Sequence, residues 1–253
     1  MNLEIFNGPA EVARAAASYI TDFRPRSIAL SGGSTPRLLY ELLADVNEPF
    51  RDRIDWDHTH FFFTDERHVP PDQAESNYRM VNEALFSRAP IPAENIHRIR
   101  AENPDAEEAA TNYEADLKNF FAEGIPAFDL ILLGVGEEGH TASLFPYSST
   151  LKDTTHLVAA PWVEKLNTYR ITLTLPVLNN AKSVVFLVTG ASKAEILRTL
   201  METTPNPDLY PAQAISPTNG AVSWLVDKAA ARLCSTSNSS NAGAGSDLLN
   251  KNP

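Results

Sequence analysis

Short runs of apolar, β-branched and aromatic residues alternate along this chain with amphipathic stretches of helical period, and that alternation limits the fold more than any single motif does. The runs are Ser27 to Leu30, Thr59 to Thr64, Asp129 to Leu133, Leu157 to Ala160, Arg170 to Leu175 and Ser183 to Thr189. Between several of them stand Arg37 to Ala44, Asn77 to Phe86, Ala106 to Phe121 and Lys193 to Met201. Strands that take turns with helices are joined by crossovers, which predicts an α/β fold with a mainly parallel sheet. Ile171-Thr172-Leu173-Thr174-Leu175 differs, because it alternates apolar with polar in the manner of a half-exposed strand such as antiparallel pairing produces. With 253 residues the chain can bury a full core, and 1–233 are expected to form a single domain. After Leu233 the sequence turns to Ser, Thr, Asn, Ala and Gly, with too little apolar surface to offset the entropy of ordering, so 234–253 are expected to be a disordered tail.

A formal net charge of −11 argues against a nucleic-acid partner held by a general electrostatic field. A phosphorylated metabolite could still bind, through a local pocket of donors. No apolar run is long enough to span a bilayer, and the opening Met-Asn-Leu-Glu-Ile-Phe lacks the basic start and apolar stretch of a signal peptide. A soluble, cytoplasmic protein without a membrane partner is therefore expected. The single cysteine, Cys234, has no internal disulfide partner and no metal-ligand cluster around it.

Chemistry is concentrated in loops that follow strands. The segment Gly134-Val135-Gly136-Glu137-Glu138-Gly139-His140-Thr141-Ala142-Ser143-Leu144-Phe145-Pro146 contains a literal G-x-G-x-x-G after an apolar run. A dinucleotide site would need a long helix next, with its free N–H groups on the pyrophosphate. Pro146 and Ser148-Ser149-Thr150 interrupt such a helix, and Glu137 and Glu138 would repel the ligand. The segment is instead expected to perform acid–base chemistry, with His140 at a strand's carboxyl end, where open α/β sheets hold ligands. Thr141 to Phe145 are expected to form a short helical turn, and Glu138 to orient the imidazole.

Ser31-Gly32-Gly33-Ser34-Thr35-Pro36 joins a strand to a helix. Here Thr35 can cap, Pro36 suits the first helical position, and the free N–H groups of Gly32, Gly33, Ser34 and Thr35 would accept a phosphate. Thr64-Asp65-Glu66-Arg67-His68 follows Phe61-Phe62-Phe63. Asp65, Glu66 and Arg67 at the end of a buried strand are costly unless paired, solvated or used on a ligand, and Arg67 would suit either a phosphate or an oxyanion. Gly136, Arg170 and Lys193 complete the expected substrate contacts. His58 and His60 share one strand face without a carboxylate or cysteine cluster, so no metal site is expected.

Together these loops resemble the 6-phosphogluconolactonase family. Agreement extends to Glu75-Ser76-Asn77-Tyr78, Arg170-Ile171-Thr172-Leu173-Thr174-Leu175-Pro176, Thr189-Gly190 with Lys193, and Pro211-Ala212-Gln213 before Trp224. The resemblance implies a modified doubly wound sheet flanked by helices with a small appended subdomain, the fold shared with glucosamine-6-phosphate deaminases and ribose-5-phosphate isomerases. It also implies hydrolysis of a phosphorylated sugar lactone without metal or organic cofactor, and His140 as general base. Two departures stand out: Glu138 replaces the family's usual Asp, and Glu164-Lys165-Leu166-Asn167 replaces its Lys-Pro-Pro stretch. A glucosamine-6-phosphate deaminase is the nearest alternative, but His140 is followed by Thr-Ala-Ser-Leu-Phe and lacks the further acid–base groups an isomerase needs. A non-catalytic sugar-phosphate sensor is the other alternative, and no appended motif supports it.

Overall fold

The computed structural model describes residues 2–122 and 124–235. The expected disorder of 234–253 therefore falls, beyond Ser235, outside the described residues. Parallel strands β1 (Asn2–Phe6), β2 (Ser27–Leu30), β3 (His60–Phe63), β5 (Leu130–Leu133), β9 (Ser183–Val188) and β10 (Ala221–Asp227) form one sheet in the order β1-β10-β9-β5-β2-β3. The chain leaves β2 for β3 on one side and returns to β5 on the other, so the switch in strand order lies between β2 and β5. Loops at the carboxyl ends of these two strands converge there, which is where a doubly wound sheet opens a crevice.

The flanking helices are α1 (Pro9–Phe23), α2 (Ser34–Ala44), α3 (Asn77–Val81), α4 (Ala106–Phe121), α5 (Leu175–Leu178), α6 (Ala194–Glu202) and α7 (Lys228–Ala231). Asp105 starts α4 by accepting from the N–H groups of Glu107 and Glu108 at 2.9 and 3.2 Å. Such a cap satisfies donors that the first turn leaves free. The pattern Asn77 to Phe86 becomes α3 followed by a wider π turn over Asn82–Phe86.

A second, antiparallel sheet contains β4 (Asp65–Arg67), β8 (Thr168–Leu173) and β6 (Val158–Ala159), with β7 (Trp162–Val163) also paired to β8. Antiparallel pairing is thus correct for the alternating run, but half-exposure is not. Ile171, Thr172, Leu173 and Thr174 are all fully buried. The threonines belong there because each has a partner: Thr174 Oγ1 donates to His156 O at 2.7 Å, and Thr172 Oγ1 accepts from Ser143 N at 3.2 Å.

Phe61, Phe62 and Phe63 of the edge strand β3 are buried, and His97 covers that edge by stacking flat on Phe62 at 4.2 Å between ring centroids. His60 Nδ1 meets His97 Nε2 at 3.1 Å. Burial, followed by the neighbouring His60, pushes His97 from 6.5 down to about 4. The unfolded chain takes up this proton first, so the contribution of a neutral His97 to stability is whole above pH 6.5 and is lost as pH falls through about 4. In His97→Phe, which keeps the ring stack, the fall in unfolding free energy across that window should be shallower. Urea denaturation at stepped pH measures it, and an unchanged slope would show that His97 carries none of the acid sensitivity.

Candidate active site

The loop after β2 enters α2 without the capping expected of Thr35. Gly33, with φ of 112°, is the residue before the helix and makes no side-chain cap, while Ser34 and Thr35 already lie in the first turn. Thr35 Oγ1 is engaged elsewhere, 2.6 Å from Thr189 Oγ1 at the end of β9, and Pro36 falls two positions inside the helix. The first-turn N–H groups are therefore left without a side-chain acceptor, a ready anion cradle on an eleven-residue helix. Tyr40 fixes the base of the loop by donating to Ser31 O at 2.9 Å and accepting from Ser31 N at 3.1 Å. Gly32 lies against the side chain of Asn77.

Glu66 does not face a ligand. It is 2% exposed, and its oxygens accept from Arg67 N (2.7 Å), Asn77 N (2.7 Å), Tyr78 N (2.8 Å) and Ser76 Oγ (3.0 Å). Every acceptor direction is occupied, so the expected substrate contact is replaced by a clasp between β4 and the start of α3. Burial pushes the Glu66 carboxyl upward, and the four donors oppose that shift. Asp65 is also buried, accepting from Ser143 Oγ at 2.7 Å and Thr64 Oγ1 at 3.2 Å. Asn77 Nδ2 donates to Asp65 O at 2.9 Å, so Asn77 ties the β2 and β3 loops together.

No long helix follows β5, which removes the dinucleotide reading; the next helical segment is the 3₁₀ turn Ser149–Lys152. Thr141 to Phe145 are not helical either. Thr141 and Leu144 form an antiparallel bridge, and Ala142 has φ of 46°. The reason is that Ser143 spends its N–H on Thr172 and its hydroxyl on Asp65, partners that a helix could not reach. Gly136 packs against the histidine. Its N–H donates to His140 O at 2.9 Å, and a Cβ there would come within 2.0 Å of His140 Nδ1.

His140 thus sits with one nitrogen walled off. Nδ1 is buried and makes no hydrogen bond, although Glu138 Oε2 stands 3.2 Å away, because the carboxylate is off the line of the ring N–H. The side chain as a whole keeps 27% of its exposure, and Phe145 packs on the ring at 4.6 Å. Burial pushes the imidazole down to about 4, Asp65 opposes this, and Lys193, Arg170 and Arg67 reinforce it. The cations expected on the substrate are thus brought together around one histidine by β4, β8 and the turn after β9.

Arg67 and Arg170 are directly opposite each other in the β4·β8 register. Like charges across a strand pair repel unless an anion lies between them. Among the described residues neither they nor half-buried Lys193 forms a side-chain ion pair, while thirteen other pairs are made. Burial, then Arg67, lowers Arg170 from its ordinary value. Arg67 is tethered by Nη1 to the carbonyl of Glu75. Asp227 at the end of β10 accepts from Gly190 N at 3.0 Å and so fixes the turn that carries Lys193.

The family model for glucosamine-6-phosphate isomerases/6-phosphogluconolactonase matches residues 8–224. The chain belongs to this family. A 6-phosphogluconolactonase of Haemophilus influenzae is 43% identical over 224 residues, covering 88% of this chain and 94% of its own length. A crystal structure described as the devB protein superposes with a TM-score of 0.85 at 40% identity, covering 91% of this chain and 98% of that one. A monomeric glucosamine-6-phosphate deaminase reaches a TM-score of 0.76 at 23% identity, over 92% of this chain and 100% of its own, so it shares the fold. The isomerase/lactonase fold therefore does not separate the two activities, and the site must.

The roles of several groups in this site of the isomerase/lactonase family do not follow from their motifs. Ser143 and Asn77 act through hydrogen bonds between loops far apart in sequence, Asp227 through a turn on another strand, and Lys165 through an ion pair with Glu138. Lys165 lies in the segment whose departure from Lys-Pro-Pro had left it unassigned.

Proposed function

We propose that residues 1–233 act as one catalytic unit that hydrolyses 6-phospho-D-glucono-1,5-lactone to 6-phosphogluconate, the lactonase step of the oxidative pentose phosphate pathway, in the cytoplasm. The observation that carries this reading is a half-buried imidazole after β5, at the switch point of the sheet, with Arg67, Arg170 and Lys193 acting on it and, among the described residues, no side-chain ion pair on any of the three. Such a cluster suits a dianionic phosphate, and a histidine that is unprotonated near neutrality suits a general base.

The first-turn N–H groups of α2, with Arg170 and Lys193, hold the phosphate and place the lactone carbonyl beside His140. Anchoring through a remote group makes the attack effectively intramolecular. Because Nδ1 is closed off, Nε2 takes the proton from the attacking water and returns it to the ring oxygen as the acyl C–O bond breaks. Base action at Nε2 needs the proton on Nδ1, and Glu138 Oε2 stands 3.2 Å from that nitrogen. Arg67, fixed by Glu75 and by the Glu66 clasp, steadies charge developing on the carbonyl oxygen. The bound phosphate also cancels part of the cationic field and so restores basicity to the imidazole.

Hydrolysis of freshly generated 6-phosphogluconolactone, corrected for the spontaneous reaction, tests the activity, with ammonia release from glucosamine 6-phosphate as the control. Replacing Arg170 and Lys193 together by glutamine and methionine should raise KM roughly 10- to 100-fold with a smaller effect on kcat, as expected for lost charge-assisted hydrogen bonds. A KM within twofold of the wild type would move the phosphate elsewhere.

A further inference from the structure

Lys165 occupies the short 3₁₀ turn Glu164–Leu166 between β7 and β8, on the hairpin where this chain departs from the family's Lys-Pro-Pro stretch. Its ammonium reaches across to Glu138 Oε1 and lies 4.9 Å over the ring of Phe145. Phe145 in turn packs on His140, and the other oxygen of Glu138 is the one that stands 3.2 Å from His140 Nδ1. Lys165 is thus the outer member of a Lys–Glu–His line, with an aromatic ring closing its side.

We propose that Lys165 is a positioning residue for the lactonase reaction: by holding one carboxylate oxygen of Glu138 and neutralising its charge, it keeps that group behind His140 as a weak acceptor for the Nδ1 proton. The inference rests on the lactonase reading for its purpose, though not for its geometry. With the cation removed, Glu138 would be free to swing into line with Nδ1 and would carry an uncompensated charge. A carboxylate in line with an imidazole favours the imidazolium, so a proton taken from water would be held more tightly and returned to the ring oxygen less readily.

The charged groups acting on His140 from other elements are Asp65 and Arg67 on β4, Arg170 on β8 and Lys193 after β9. All of them remain when Lys165 is replaced, so the change isolates the Glu138 charge. Methionine is the suitable replacement, because it retains an apolar stem over Phe145 while losing the ammonium.

The test is the imidazole titration of His140, followed by proton NMR and assigned by the signal lost in His140→Asn. In Lys165→Met the His140 midpoint should rise by about one pH unit or more, as expected when a nearby carboxylate becomes unpaired. Lys165→Arg should leave it in place, and Lys165→Met combined with Glu138→Gln should return it to the wild-type value. The acid limb of the lactonase rate should move with the titration. An unmoved midpoint in folded Lys165→Met would overturn the proposal, as would a shift that persists in the double variant. Absence of lactone turnover in the wild type would strike at the proposed activity alone, since the titration reads the Lys165 effect independently of it.

Discussion

Alanine in place of His140 should lower kcat by about 10²- to 10⁴-fold, the range for losing a positioned general base. KM should change little, because the groups assigned to the phosphate lie on α2, β8 and the turn after β9. Stability should also change little, since the ring keeps part of its exposure and Nδ1 has no hydrogen bond to lose. Steady-state kinetics on the lactone, with binding of 6-phosphogluconate measured by calorimetry, separates the two effects. Near-normal turnover in the variant would remove His140 from the mechanism. A variant that neither turns over nor binds would instead show the imidazole to be part of the anion pocket.

Glu66 should give the largest effect on stability. Alanine there removes a carboxylate that satisfies four donors in a site only 2% exposed. Stranding buried donors around a lost charge costs on the order of 3–5 kcal/mol. For a chain of this size the midpoint of thermal unfolding should then fall by roughly 10 °C. Glu66→Gln should be intermediate, because its amide oxygen can still accept while its NH₂ faces donors. A midpoint within about 2 °C of the wild type in Glu66→Ala would mean that water replaces the carboxylate, and that the clasp is dispensable.

The contrast between Glu66 and Arg67 shows what a sequence makes legible here. Both stand in one motif, yet one is consumed by the fold and the other forms no ion pair among the described residues; only the position of α3, which folds back over β4, decides between them. Strands with strong apolar character, such as β2, β5 and β9, were readable because burial on both faces demands continuous hydrophobicity. The Ala106–Phe121 helix was readable from its period and its Asp cap. Strand β1 was not, because as an edge strand it is only partly covered and shows no clear pattern. The very short β4, β6 and β7 owe their existence to pairing with β8, a tertiary effect that no local propensity announces. His140 and Arg67 follow β5 and β3 and Lys193 follows β9, as their motifs suggested, whereas Arg170 lies inside β8. Their shared field was not legible, since it arises only when β4 and β8 align.

Strand β10 lies between β9 and β1, so among the described residues the strand latest in sequence is an interior one and the earliest is an edge. During synthesis β2, β3, β5 and β9 can assemble early, but β1 has no neighbour until residues 221–227 emerge. Until then β9 presents an unpaired border that is apolar from Val184 to Val188, the kind of edge that recruits other chains. Asp227, which fixes the turn bearing Lys193, arrives with that same strand. Completion of the sheet and fixing of the Lys193 turn are therefore one late event, and a chain lacking β10 would keep His140, Arg170 and the start of α2 but lose the contact that holds that turn.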